Sequence, residues 1–201
     1  MATLSNSTEE HIKDIAKKVF FSEGRLNATT QEIADAAGVN RTLLNYYFRS
    51  REALFELVFH ETMENFRIQV EAIIVQDSPL KKKLEKLIDL LLEEMSKYPY
   101  REIFFITQIN QNSKEEKTGP PPEGENHWAC FLKDIQSEIE IGNIPKMNPM
   151  DYVINLYALC IYPFLMKPVY THLFQTSSDE YDALLKNRKK IAMRYLSLKE
   201  M

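Results

Sequence analysis

Apolar positions recur at three- and four-residue steps along most of the chain, and each such run predicts an amphipathic helix. Residues 1–8 are polar and predict a frayed end. Between Glu9 and Ser22 the apolar set is Ile12, Ile15, Ala16, Val19 and Phe20, with Lys13, Lys17 and Lys18 on other faces. Gly24 follows where a helix end favours a left-handed residue. Thr29-Thr30-Gln31-Glu32 has the spacing of a capping box, in which a hydroxyl and a carboxylate satisfy orphan amides reciprocally. Ile33, Ala34 and Ala37 then form a narrow face that lets a neighbouring helix approach closely. Gly38 stops this helix after about two turns, and Asn40 can cap the next, which runs through Leu44 to Tyr47. After a break at Phe48-Arg49-Ser50, a long helix starts at Ser50-Arg51-Glu52-Ala53. It runs to about Val75 with Leu54, Phe55, Leu57, Val58, Met63 and Phe66 inward.

The remainder continues the same period. Asp77-Ser78-Pro79 marks a turn, and Lys81 to Lys97 repeats through Leu84, Leu87, Ile88, Leu91, Leu92 and Met95. Lys81, Lys82 and Lys83 read as its solvated face. Tyr98-Pro99-Tyr100 breaks the run, and Arg101 to Asn110 is a shorter helix. Asn112 to Asn126, with Gly119-Pro120-Pro121-Pro122, is a long polar loop. A helix over Trp128 to Ile141 ends at Gly142-Asn143. Another starts at Asn148-Pro149 and runs to about Val169, kinked at Pro163 and ending near Pro168. Ser178-Asp179 caps the last, through Leu198. Sustained period-two alternation and hairpin dipeptides are missing, so the predicted fold is all-α with about nine helices.

Composition narrows the class. The 201 residues are enough for a proper core; hydrophobic residues make up 44% and charged residues 27%, as in globular domains. The longest apolar run, Tyr157 to Met166, is far short of the roughly 20 residues a bilayer crossing needs. With no secretory signal either, the expectation is a cytoplasmic protein without a membrane partner. Cys130 and Cys160 are expected as buried hydrophobes rather than a disulfide. A net charge of −4 argues against coating nucleic acid by charge alone, so any DNA contact must be local. His11, His60, His127 and His172 have no metal-ligand spacing, and neither G-x-S-x-G nor a phosphate-binding glycine loop is found. Neither catalysis nor a cofactor is expected.

The local site is the stretch from Thr29 to Phe55: helix, glycine turn, helix, each the length a helix-turn-helix needs. Leu44 and Phe48, four apart, would face Ile33, Ala37 and the first helix. Arg41, Thr42, Asn45 and Tyr46 then lie on the opposite side, with Leu43 at the margin. Arg can fork onto guanine, Asn onto adenine, and Thr or an aromatic ring can meet a thymine methyl. Thr30 with its helix N-terminus, Tyr47, Arg49 and Arg51 are candidates for phosphate. Geometry alone fits a plain three-helix packing unit equally well.

Residues 30–54 carry T-x-x-I-A-x-x-A-G-V-x-x-x-x-L-x-x-Y-F-x-S-[KR]-E-x-L and resemble the TetR/AcrR family of bacterial one-component transcriptional regulators. The resemblance implies an N-terminal three-helix DNA-binding domain, residues 1–50, and a C-terminal ligand-binding and dimerisation domain, residues 51–201. It implies a repressor bound to palindromic operator DNA as a homodimer through its last two helices, and released by a small-molecule inducer. Arg41, Thr42, Asn45 and Tyr46 would touch bases or nearby sugars, and Thr30, Tyr47 and Arg51 phosphates. The family usually has an aromatic residue in place of Asn45, often a His in place of Tyr47, and a small or polar residue in place of Leu43, so its operators do not transfer. A helical ligand carrier or interaction module with a vestigial head is the competing reading.

The body has no such fingerprint. Phe104, Phe105, Trp128, Phe131, Tyr157, Tyr162 and Phe164 could line an apolar cavity, with Gln108 or Asn155 orienting a hydrophobic ligand. Each also fits plain core.

Overall fold

The computed structural model describes residues 2–112 and 127–196, so the long polar loop lies almost wholly outside them. Among the described residues there are eleven α-helices and no strand. They are α1 (Ala2–Lys17), α2 (Thr30–Ala36), α3 (Arg41–Phe48), α4 (Arg51–Ile74), α5 (Leu80–Lys97), α6 (Arg101–Asn112), α7 (His127–Glu140), α8 (Pro149–Leu165), α9 (Lys167–Leu173), α10 (Ser178–Lys186) and α11 (Arg188–Leu196). The first helix starts at Ala2, earlier than its polar sequence suggests, and its last turn, Lys18–Ser22, widens into a π-helix.

The residues form two compact units. One comprises Met1–Arg67 with Lys97–Glu102, the other Ile68–Ser96 with Ile103–Met201. The first unit is held by aromatic packing. The π-turn buries Val19, Phe20 and Phe21 together. Phe20 meets Phe55 edge-on at 5.1 Å, and Phe21 reaches Phe55, Phe59 and Tyr98. Such pairs add about 0.5–1.5 kcal/mol each beyond the burial of their area. Glu61 on α4 ties down α1 through Lys13 at 2.7 Å and Lys17 at 3.3 Å.

Residues 97–102 belong to this unit by specific bonds. The Tyr100 amide donates to Phe21 O at 3.0 Å, and the Ser22 hydroxyl donates to Lys97 O at 2.7 Å. Gly24, at φ +68, lies under the Tyr100 ring, where a Cβ would come within 2.9 Å of the ring carbons. Arg101, 1% exposed, stacks 4.4 Å from the Phe66 ring centroid and donates to Glu102.

In the second unit α8 packs on α7 and α11. Pro163 sits inside α8 and lacks the N–H that would bond Leu159 O. The Arg188 guanidinium supplies the missing donors at 2.9 and 3.3 Å. The Tyr181 hydroxyl donates to Pro163 O at 2.9 Å, and the buried Tyr152 hydroxyl to Leu196 O at 2.6 Å.

The structure departs from the expected elements at several points. The helix expected over residues 149–169 breaks at Met166 and bends by 61° into α9, where Pro168 occupies the first turn instead of an end. The last helix divides at Asn187, and its N-cap is Ser177, in a capping box with Glu180, one residue before Ser178. Lys83 is not solvated: its buried ammonium donates to Ile74 O, closing the end of α4, and to Asp134 of α7. Cys160 is buried, with its thiol pushed up to about 12 by desolvation, but Cys130 is exposed, and both are free. Among the described residues no single helix is long and apolar enough to cross a membrane.

Candidate nucleic-acid interface

The interface is built from two helix starts and one turn. Thr29 is the N-cap of α2: its hydroxyl accepts from the Glu32 amide, and the Glu32 carboxylate accepts from the Thr29 amide at 2.7 Å. That amide bond first, then the Thr29 hydroxyl and the Arg25 guanidinium, hold the Glu32 carboxyl below its ordinary value. The turn after α2 closes with Val39 N donating to Ala34 O and Gly38 N to Asp35 O, with Gly38 at φ +66. This crossed pair satisfies the last carbonyls and requires a left-handed residue at its centre. A Cβ on Gly38 would meet nothing within 4 Å, so conformation alone asks for glycine there. His11 of α1 also bonds Ala37 O at 3.1 Å.

Asn40 caps α3 by accepting from the Leu43 amide at 2.8 Å. Leu44 and Phe48 are buried and fix the rotation of α3, leaving Arg41, Thr42 and Tyr46 exposed. Leu43, Asn45 and Tyr47 are half-buried along its flanks, and Tyr46 meets Tyr47 edge-on at 5.3 Å. Tyr46 is 78% exposed, so its ring and hydroxyl are available to a facing surface. At about 1.5 Å per residue α3 is about 12 Å long, and it presents one polar-aromatic face, the shape and chemistry a major groove accepts.

The exit from α3 is tight. Arg49 has φ +59 and ψ −46, and Ser50 N reaches back to Phe48 O at 2.6 Å, a γ-turn that non-glycine residues rarely adopt. The Ser50 hydroxyl then accepts from the Ala53 amide to start α4.

Residues 12–58 match the family of bacterial regulatory proteins, tetR family. The chain is also 23% identical over 156 residues to the HTH-type transcriptional regulator RutR of Escherichia coli O157:H7, spanning 76% of this chain and 72% of that protein. Residues 12–58 therefore carry the DNA-binding segment of the TetR family, and the chain as a whole is similar to regulators of that family. Its fold is that of solved TetR-family structures along the whole length. A transcription regulator from Marinobacter aquaeolei VT8 superposes with a TM-score of 0.57 at 15% identity, covering 99% of this chain and 100% of the other. The fatty acid degradation regulator FadR from Bacillus halodurans gives 0.55 at 15% identity, over 92% and 93%.

The remaining expected site residues are placed as follows. Thr30 is half-buried at the first position of α2. Arg51 turns inward: its Nε donates to Ala28 O at 2.8 Å and its Nη2 to Leu26 O. Of the expected ligand residues, Trp128, buried Phe131 and Tyr157 come together, with ring centroids 6.1 and 6.4 Å from the Trp128 ring. Phe104, Phe105 and Gln108 are half-buried along α6. Tyr162 is exposed and pairs instead with Tyr170, hydroxyl to hydroxyl at 3.2 Å. Asn155 is exposed and lines a separate cavity of about 350 Å³ with Ile144, Met147, Leu159 and Tyr195. The sequence does not announce the structural roles of Arg188, Lys83 and Arg101. Pro163 inside a helix was the one available signal, since it announces an orphan carbonyl four residues back at Leu159.

Proposed function

We propose that this regulator is a cytoplasmic repressor that binds a palindromic operator as a homodimer and leaves it when a hydrophobic small molecule binds the body. In this reading residues 1–50 are the DNA-binding domain and residues 51–201 the ligand-binding and dimerisation domain. The observation that carries it is the outward face of α3. Arg41, Thr42 and Tyr46, with Asn45 and Leu43 at the edges, read base edges, while Thr30 with its helix N-terminus and Tyr47 hold phosphates. Leu43, Asn45 and Tyr47 set the specificity of this chain apart from its family.

Two further features support the reading. On α8, Met150, Ile154, Ala158 and Tyr162 form an exposed stripe at four-residue spacing, and Leu184 and Tyr195 are exposed on α10 and α11. Joining two copies covers such a stripe, as the last two helices of the family would. The Trp128–Phe131–Tyr157 cluster offers aromatic walls to an apolar ligand. Release then follows from linkage. A ligand that binds better to a body whose two heads are differently spaced lowers operator affinity by that difference. The helix α4 contributes residues to both compact units and is the natural lever.

The test is binding of the full chain to its own upstream DNA and to genome-wide selected fragments, across a salt series. Wild type should retain specific duplexes. Arg41→Ala and Tyr46→Ala should each cost about 1–3 kcal/mol of discrimination between specific and non-specific DNA. If wild type retains no specific duplex, the head is vestigial and the repressor reading is lost.

A further inference from the structure

The family resemblance assigns Arg51 to a phosphate. The geometry points to a different role: Arg51 is a positioning residue for operator binding, whose guanidinium sets the N-terminus of α2 against α1 and α4 without touching DNA. This rests on the reading of α2 and α3 as the DNA interface.

Each guanidinium nitrogen already has a partner within the first compact unit. Nε donates to Ala28 O at 2.8 Å, and Nη2 donates to Leu26 O. Nη1 lies 3.6 Å from a Glu52 carboxylate oxygen, which would repel an incoming phosphate. The plane sits 5.4 Å from the Phe20 ring centroid and 6.0 Å from that of Phe55, so aromatic faces fill space beside it. The side chain is 26% exposed, far less than a free surface arginine.

The two carbonyls occupied are those just ahead of the α2 N-cap, Thr29. The short connection from Gly24 to Ala28 therefore hangs on a fork rooted in α4 and wedged against Phe20 of the π-turn. The α2 amides that would meet a phosphate begin two residues later. Displacing them removes aimed donors without removing any charge from the interface. A lysine cannot do this work, because a single ammonium has no planar fork to bridge two carbonyls while stacking on a ring.

Arg51→Lys and Arg51→Gln separate the two roles. The probes are the duplex that wild type selects from random DNA, bound between about 50 and 200 mM salt, and amide hydrogen exchange of residues 26–30 without DNA. A positioning residue predicts that both variants weaken binding roughly ten-fold, with the salt slope unchanged and exchange over residues 26–30 raised in both. The lysine variant keeps the charge and most of the aliphatic stem, so it guards against simple unfolding. The inference is overturned if Lys matches wild type while Gln lowers the salt slope by about 0.9, the mark of one lost phosphate contact. Unchanged exchange overturns it as well. If wild type selects no duplex, the operator reading itself is lost and the positioning role falls with it; a retained duplex with unchanged exchange removes the positioning role alone.

Discussion

The α2–α3 pair and the α8–α11 region differ in how far along the chain the partners of their open backbone groups lie. In the head the caps and the turn are closed from nearby, Thr29 with Glu32, Asn40 with Leu43, Gly38 with Asp35 and Val39 with Ala34, while His11 reaches Ala37 O and Arg51 reaches Ala28 O from farther away. In α8–α11 key carbonyls are closed by side chains far along the chain, Tyr181 at 18 residues, Arg188 at 29 and Tyr152 at 44. Local closure at the caps frees the outward side chains of α3 from any part in holding the helix ends, so they are free to vary with the DNA they meet. Distant closure makes α8 and α11 conditional on their neighbours. Such a region holds together only as a whole, and one lost side chain opens a backbone group elsewhere.

That contrast can be broken most sharply at Arg188. Arg188→Ala should cost about 1–3 kcal/mol in denaturant unfolding, because it leaves Leu159 O without its donors. In a Pro163→Ala background the backbone N–H at residue 163 replaces them, so the same change should cost far less. A double-mutant cycle with no coupling would refute distant closure there. In the head, Gly24→Ala should cost about 2 kcal/mol, combining left-handed strain with the Tyr100 clash, and Gly38→Ala about 1 kcal/mol from strain alone. Equal losses in thermal or chemical unfolding would mean the Tyr100 ring moves freely.

The smallest effect concerns pH. Burial opposes ionisation of Glu61, but the bonds and charges of Lys13 and Lys17 win and hold its carboxyl below the ordinary 4.5. Burial likewise opposes the charge on Lys13, yet Glu10 and Glu61 raise it above 10.5. A depressed acid gives stability that is present above its unfolded value and lost as pH falls through the folded one. A raised base gives stability that is present below its unfolded value and lost as pH rises through the folded one. The tie between α1 and α4 is therefore complete between 4.5 and 10.5. Glu61→Gln should remove up to about 1 kcal/mol of stability at neutral pH and flatten the loss below pH 4.5, since the pair is part-exposed. Parallel acid-unfolding curves for the two proteins would rule this out.

The same contrast explains what could be read in advance. The capping box at Thr29, the Asn40 cap and the turn at Gly38 were legible because partner and end lie within five residues. The outward face of α3 followed from Leu44 and Phe48 being four apart. The break at Met166, the α9 helix and the fate of Pro168 were not, because Arg188 and Tyr181 decide which carbonyls near Pro163 can go without helix bonds. Lys83 looked solvated beside Lys81 and Lys82, since nothing local announces Ile74 O or Asp134. The aromatic residues of the body were visible by type but not by partner. Trp128, Phe131 and Tyr157 meet, whereas Tyr162 pairs with Tyr170 and Asn155 lines another cavity. The inward turn of Arg51 was hidden for the same reason, because the motif records its position in sequence and not the carbonyls it finds.

The return of residues 97–102 to the first unit bears on how such regulators can be recombined. A chimera cut after α3, or even after Arg67, would carry Phe21, Ser22 and Gly24 but leave behind the Lys97 carbonyl, the Tyr100 ring and amide, and the Tyr98 ring that cover them. A transplanted head would then expose an aromatic patch and two unbonded backbone or hydroxyl groups at once. The head of this chain would have to be moved together with this six-residue turn from the middle of the chain.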